Sequence, residues 1–154
     1  MIEKSCCFTG HRIIADNLTD EIKTEVFNAV ESLIKRGYTC FISGGAMGFD
    51  LIAAVVVLAL RKKYDHIKLL LVLPCKNQDS KWNTEQRTIY KYVVQNADEV
   101  RYLYEAYVTG CMQARNREMV NNSSVCIAYL KYNRGGTKST VDYAITKNRE
   151  VIYI

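Results

Sequence analysis

Two glycines, Gly135 and Gly136, stand between an apolar run at 125–130 and a stretch of helical spacing at 137–147. A helix that opens behind a glycine turn presents unpaired backbone N–H groups and the positive end of its dipole. With no side chain in the way, a phosphate can approach that main chain closely. Thr137, Ser139 and Thr140 add hydroxyl donors. The same residues also fit an ordinary glycine turn with a Thr or Ser N-cap. A second turn, Gly44-Gly45-Ala46-Met47-Gly48-Phe49-Asp50, follows another apolar segment. Its glycine spacing differs from the GxGxxG dinucleotide fingerprint. Gly44, Gly45, Ala46 and Gly48 are therefore expected to meet a phosphate or ribose at the start of a helix, with Asp50 either capping that helix or accepting from a sugar hydroxyl.

Thr9-Gly10-His11-Arg12 adds a hydroxyl, a flexible backbone, a titratable ring and a guanidinium suited to bidentate phosphate binding. The alternative for Arg12 is a solvated arginine after a strand. Arg115 and Asn116 fall on a helix that leads into the strand before the Gly135-Gly136 turn. Trp82, with Arg87 and Tyr90, offers a stacking wall for a base or else half-buried packing.

These residues need elements to position them. Strands are expected at 4–9, 38–43, 67–73, 99–103, 125–130 and 151–154, with Pro74 ending the third. Helices are expected at 21–36, 51–62, 84–96, 111–121 and 137–147, from apolar residues recurring on one face. Residues 17–20 supply caps for the first helix, and Gly37 ends it. The second helix is apolar nearly all round, as a buried helix is. Strand and helix alternate throughout, which predicts an α/β fold with a mainly parallel sheet covered on both faces. In such sheets ligands bind beyond the carboxyl ends of the strands, where the polar and glycine-bearing stretches fall.

Composition is consistent with one domain spanning 1–154. Of the residues, 49% are hydrophobic and 24% charged, which argues against disorder. The formal charge of +5 suits an anionic ligand, but Lys and Arg are dispersed, so nucleic acid is an unlikely partner. The longest apolar run, 51–60, is too short to cross a bilayer, and residues 1–8 lack a signal-peptide core. A cytoplasmic protein with no membrane partner is expected. The six cysteines show no CxxC pair and sit mostly in apolar runs, so they are taken as reduced and buried. With two histidines, no metal site is expected.

Five segments in order carry a family resemblance: CCFTGHR at 6–12, SGGAMGFD at 43–50, LPCKNQDSKW at 73–82, YVTGCMQARNREMV at 107–120 and GGTKSTVDYA at 135–144. Together they resemble the YpsA-like branch of the SLOG superfamily, which also contains the lonely-guy phosphoribohydrolases and the DNA-processing protein A domain. The resemblance implies a Rossmann-like three-layer sandwich and a site for a nucleotide or nucleotide-sugar, ADP-ribose-like, with no cofactor required. It also makes a homodimer plausible. Lonely-guy enzymes cut the N-glycosidic bond of nucleoside monophosphates and carry MxxRxxxM, which Met112, Arg115 and Met119 match. Their second pattern, PGGxGTxxE, is altered here: Arg134 replaces the proline, Lys138 the third glycine, Ser139 the threonine and Asp142 the catalytic glutamate. By resemblance, Arg115 would hold substrate and Asp142 would stabilise an oxocarbenium ion or activate water. Three functions follow as alternatives: a nucleotide-binding sensor or regulatory module, an N-glycosidase of the phosphoribohydrolase type, and a single-stranded DNA-binding domain.

Overall fold

The computed structural model describes residues 2–154. Six strands form one all-parallel sheet: β1 (Ser5–Gly10), β2 (Cys40–Ser43), β3 (Lys68–Cys75), β4 (Glu99–Tyr104), β5 (Val125–Tyr129) and β6 (Glu150–Tyr153). Five helices join them: α1 (Thr19–Lys35), α2 (Phe49–Arg61), α3 (Thr84–Asn96), α4 (Cys111–Asn121) and α5 (Gly135–Thr146). The strand order is β4-β3-β2-β1-β5-β6. The chain thus steps outward from β1 to β4, then returns through α4 to the far side of β1. Right-handed crossovers place helices on opposite faces when the direction of travel reverses. Accordingly α1, α2 and α3 pack together on one face and α4 and α5 on the other. The reversal makes the β1/β5 boundary the switch point, where a crevice opens at the carboxyl ends of the strands.

The strands alternate between two cores. Cys6 and Phe8 of β1 face the α1–α3 side while Cys7 faces α4 and α5. On β5, Val125, Ile127 and Tyr129 face the first side and Cys126 the second. This is the two-residue period of a strand covered on both faces. The cysteines are reduced, and all but Cys40 are buried.

The boundaries show three departures from expectation. Pro74 does not end β3, which runs on to Cys75. The ladder with β2 stops at Leu71, so the missing N–H of Pro74 lies beyond β2, where a strand has an open edge. Residues 17–20 give α1 no side-chain cap: a short 3-10 turn, Asp16–Leu18, leads directly into the helix. Neither Thr137 nor Ser139 caps α5, which begins at Gly135 after the extended Arg134.

Close packing at the end of β1 sets the shape of the crevice. A Cβ on Gly10 would lie 2.4 Å from the Phe49 ring, which itself stacks on Tyr129. Gly10→Ala is therefore expected to lower stability by about 1–3 kcal/mol through overpacking. Gly136→Ala, where a Cβ meets nothing within 4 Å, should stay within about 1 kcal/mol of wild type. Urea denaturation of both variants checks the pair, and equal midpoints would contradict it.

Candidate functional site

The crevice at the switch point is a cleft of about 250 Å³ lined by residues from β1, the Ala46–Asp50 turn, α4 and the start of α5. The segment after β1 is laid directly over the start of α2. The His11 carbonyl accepts from Phe49 N–H at 3.1 Å, and the Arg12 carbonyl approaches Gly48 so closely that a Cβ there would sit 2.3 Å away. Gly48 also has φ of 82°, a backbone region that side chains disfavour. His11 Nε2 accepts the Lys131 N–H at 2.8 Å, so the neutral ring carries its proton on Nδ1. Partial burial, then the Lys131 charge, pushes the His11 pKa down, which keeps the ring neutral at pH 7. The imidazole thereby ties the β1 and β5 loops together. Its ring also contacts Tyr129 and Tyr132.

In the turn before α2, most amides already have protein acceptors. Gly45 N–H donates to Ser43 Oγ at 3.2 Å, Ala46 N–H to Asp50 Oδ2 at 3.4 Å, and Gly48 N–H to Gln86 Oε1 at 3.2 Å. Ala46 and Asp50 line the cleft, whereas Gly44 and Gly45 are buried behind it. Asp50 reaches back to this turn instead of capping the amides of its own helix. The Gly44 carbonyl accepts from the guanidinium of Arg115, and a Cβ on Gly44 would lie 2.6 Å from that group.

Arg115 is only 4% exposed. Its Nε donates to Asn116 Oδ1 at 2.8 Å, and a terminal nitrogen lies 3.7 Å from the Met112 sulfur. Met112 also lines the cleft. Its i, i+3 spacing from Arg115 on α4 is the sequence signal for that contact. At the start of α5 the hydrogen-bonding state is the opposite of the α2 turn. Among the described residues no protein acceptor is recorded for the amides of Gly136 and Thr137, both of which line the cleft. The first amides of a helix have no partner within it. The Thr140 hydroxyl turns inward to the Gly136 carbonyl at 2.8 Å.

A family model described as the YspA SLOG family matches residues 10–153. The chain belongs to this family. It is 31% identical over 137 residues to the uncharacterized SPbeta prophage-derived protein YoqJ of Bacillus subtilis (strain 168), covering 80% of each chain. It is 31% identical over 100 residues to a UPF0398 protein of Brevibacillus brevis, covering 63% of this chain and 53% of that one. It is similar in fold to DNA processing protein A from Helicobacter pylori, in a structure described for its single-stranded DNA binding mode. There the TM-score is 0.69 at 20% identity, over 99% of this chain and 65% of that one. The chain thus spans about half of that UPF0398 protein and under two thirds of the DNA processing protein.

In this SLOG chain the cleft gathers Thr9, Gly10, His11, Arg12, Ala46, Asp50, Arg115, Asn116, Gly136 and Thr137. Asp142 lies outside it. It is exposed, paired with Lys138 one turn earlier on α5, and borders a shallower hollow between α4 and α5 with Gly135 and Thr140. Asn116 and Gly136 border both spaces. Trp82 packs edge-on to Tyr90, centroids 5.2 Å apart, against the α1–α3 core.

Burial raises the Asp50 carboxyl to about 6 from its ordinary 3.8, against the pull of Arg115, the Ala46 amide and Arg12. Burial likewise lowers the Arg115 pKa, against the pull of Asp50. Below about pH 3 Asp50 is neutral both folded and unfolded. As pH rises past 4, the unfolded chain ionises first, and stability falls until the folded carboxyl also ionises near 6. Between pH 3 and 8 wild type is therefore expected to lose roughly 3 kcal/mol relative to Asp50→Asn. Denaturant titrations of both proteins across this range measure the difference, and parallel profiles would refute it.

Proposed function

We propose that the cleft binds a nucleotide or nucleotide-sugar, ADP-ribose-like, and that the protein acts as a sensor or regulatory module. The observation that carries this reading is the open start of α5. Two unpartnered amides, on Gly136 and Thr137, meet a cleft that also holds Arg12 and the buried charge of Arg115. A phosphate there receives main-chain hydrogen bonds, a favourable helix dipole and a cation. Asp50 supplies the complementary acceptor. Its Oδ2 takes the Ala46 amide, and the residue lines the cleft, where a carboxylate can accept from a sugar hydroxyl. Such a site calls for no metal or cofactor.

The N-glycosidase alternative asks Arg115 and Asp142 to act on one substrate. Their separation into adjoining hollows, with Asp142 tied to Lys138, favours binding over hydrolysis. The matched fold of DNA processing protein A brings single-stranded DNA into the test as a competing ligand, although 20% identity transfers no residue. No helix among the described residues is long and apolar enough to cross a membrane. Action in the cytoplasm and assembly as a homodimer belong to the same proposal, and size-exclusion chromatography with light scattering tests the second.

The primary experiment is thermal melting with AMP, ADP, ADP-ribose and NAD. A ligand present at a hundred times its Kd adds about 2.7 kcal/mol, a rise of several degrees for a chain of this size. Gly136→Asp should abolish the rise. Its Cβ enters open space, so the fold is kept, while its carboxylate occupies the phosphate position. No rise with any of the four compounds would defeat the proposal. A rise only with single-stranded DNA, falling steeply with salt, would replace it with the nucleic-acid alternative.

A further inference from the structure

A second hollow, of about 420 Å³, opens on the other side of the Arg12 segment, between the start of α2 and α3. None of the site residues discussed so far explains it, apart from Arg12, which lines both spaces, and Gly48. The His11–Arg12 backbone, pressed onto Gly48, is the ridge that divides hollow from cleft. Part of the hollow's wall is aliphatic, with Ile52 and Val55 from α2 and Ile13 from the ridge; Ile13 is left 78% exposed. Polar groups there are half committed. Gln86 Oε1 accepts the Gly48 amide, and Asn83 Oδ1 accepts the Gln86 amide. The NH₂ groups of both side chains have no protein acceptor recorded among the described residues, and both residues line the hollow. Asp16, Glu85 and Lys23 also lie along its lining, so its charged residues are of both signs.

We infer that this hollow is a second subsite, for a neutral planar heterocycle carried by the ligand whose phosphate occupies the cleft, with Arg12 between them on the diphosphate. The inference rests on the nucleotide reading of the cleft. Its chemistry follows from the lining. Aliphatic walls suit the faces of a flat ring, and two free amide N–H₂ groups suit ring nitrogens or carbonyls at its edge. Arg12 stands on the ridge shared by both spaces, so the charged part of the ligand stays there. A ligand with a phosphate alone fills one space; one with a base beyond a diphosphate fills both.

Calorimetric titration with ribose 5-phosphate and with ADP-ribose separates the two spaces. Wild type is expected to bind ADP-ribose at least about tenfold more tightly than ribose 5-phosphate. Ile52→Glu and Ile13→Asp should each remove most of that ratio while leaving the affinity for ribose 5-phosphate unchanged. Ile13 is too exposed for its replacement to unfold the chain. A ratio near one in wild type overturns the subsite but leaves the cleft reading intact. A ratio that survives both substitutions, or that is lost instead in Tyr132→Ala, puts the ring elsewhere and also overturns it. If neither compound binds, the cleft reading itself fails.

Discussion

The guanidinium of Arg115, sealed from solvent and bonded to the Gly44 carbonyl, is the contact on which the cleft depends. Taking a charge out of water costs several kcal/mol unless hydrogen bonds replace the lost hydration. Here the carbonyl of Gly44, the amide oxygen of Asn116 and the sulfur of Met112 replace part of it. Asp50 adds an opposing charge from the first turn of α2. The contact spans the fold, because Gly44 follows β2 whereas Arg115 lies on α4, across the reversal of chain direction. One side chain therefore fixes the distance between the two halves at the point where the crevice opens. It also dictates a residue type elsewhere, since any side chain at Gly44 would collide with the guanidinium.

Most of the architecture was legible because its signals are redundant. Continuous apolar runs in the strands and one-sided apolar spacing in the helices each extend over several residues, so a single ambiguous position changes little. The α3 and α4 boundaries matched at both ends, and α2 proved buried along most of its length, as its composition implied. Where one residue had to decide, the sequence was less informative. Pro74 stops a strand only where a neighbouring strand needs the N–H it lacks, and whether β2 reached that far depends on tertiary register. The polar residues at 17–20 promised a cap, but a 3-10 turn brought the chain into α1 without one.

The two glycine turns show why the site was only partly legible. In sequence they look alike, each small, glycine-bearing and at a helix start. In the fold, Gly10, Gly44 and Gly48 are demanded by the protein itself, because a Cβ would lie 2.3–2.6 Å from the Arg12 carbonyl, the Phe49 ring or Arg115. Gly136 faces open space, with nothing within 4 Å of a Cβ, whereas Gly135 is required by its own φ of 90°. A glycine required by a neighbouring side chain and one that leaves room for a ligand are the same letter. Only coordinates tell them apart. The same holds for Asp142, whose matched place in a motif says nothing of Lys138 waiting one turn away.

Charge in the cleft divides along the same line between structure and availability. Arg115 acts in a low-dielectric setting, where its field is strong and weakly screened. Yet its donors are engaged by protein acceptors, so it attracts an anion more than it grips one. Arg12 is exposed at the rim, screened by salt but free to reach a ligand on either side of the ridge. The open amides at α5 are fixed donors of the kind phosphate oxygens need, and they sit where the helix dipole adds to both cations. Asp50 offsets part of this positive field only when ionised. Burial disfavours the charged form of both groups, and only below about pH 6 does Asp50 become neutral and leave Arg115 unopposed. At neutral pH the ionised Asp50 balances one of the two cations, and the positive bias that is left comes from the second cation and the α5 amides.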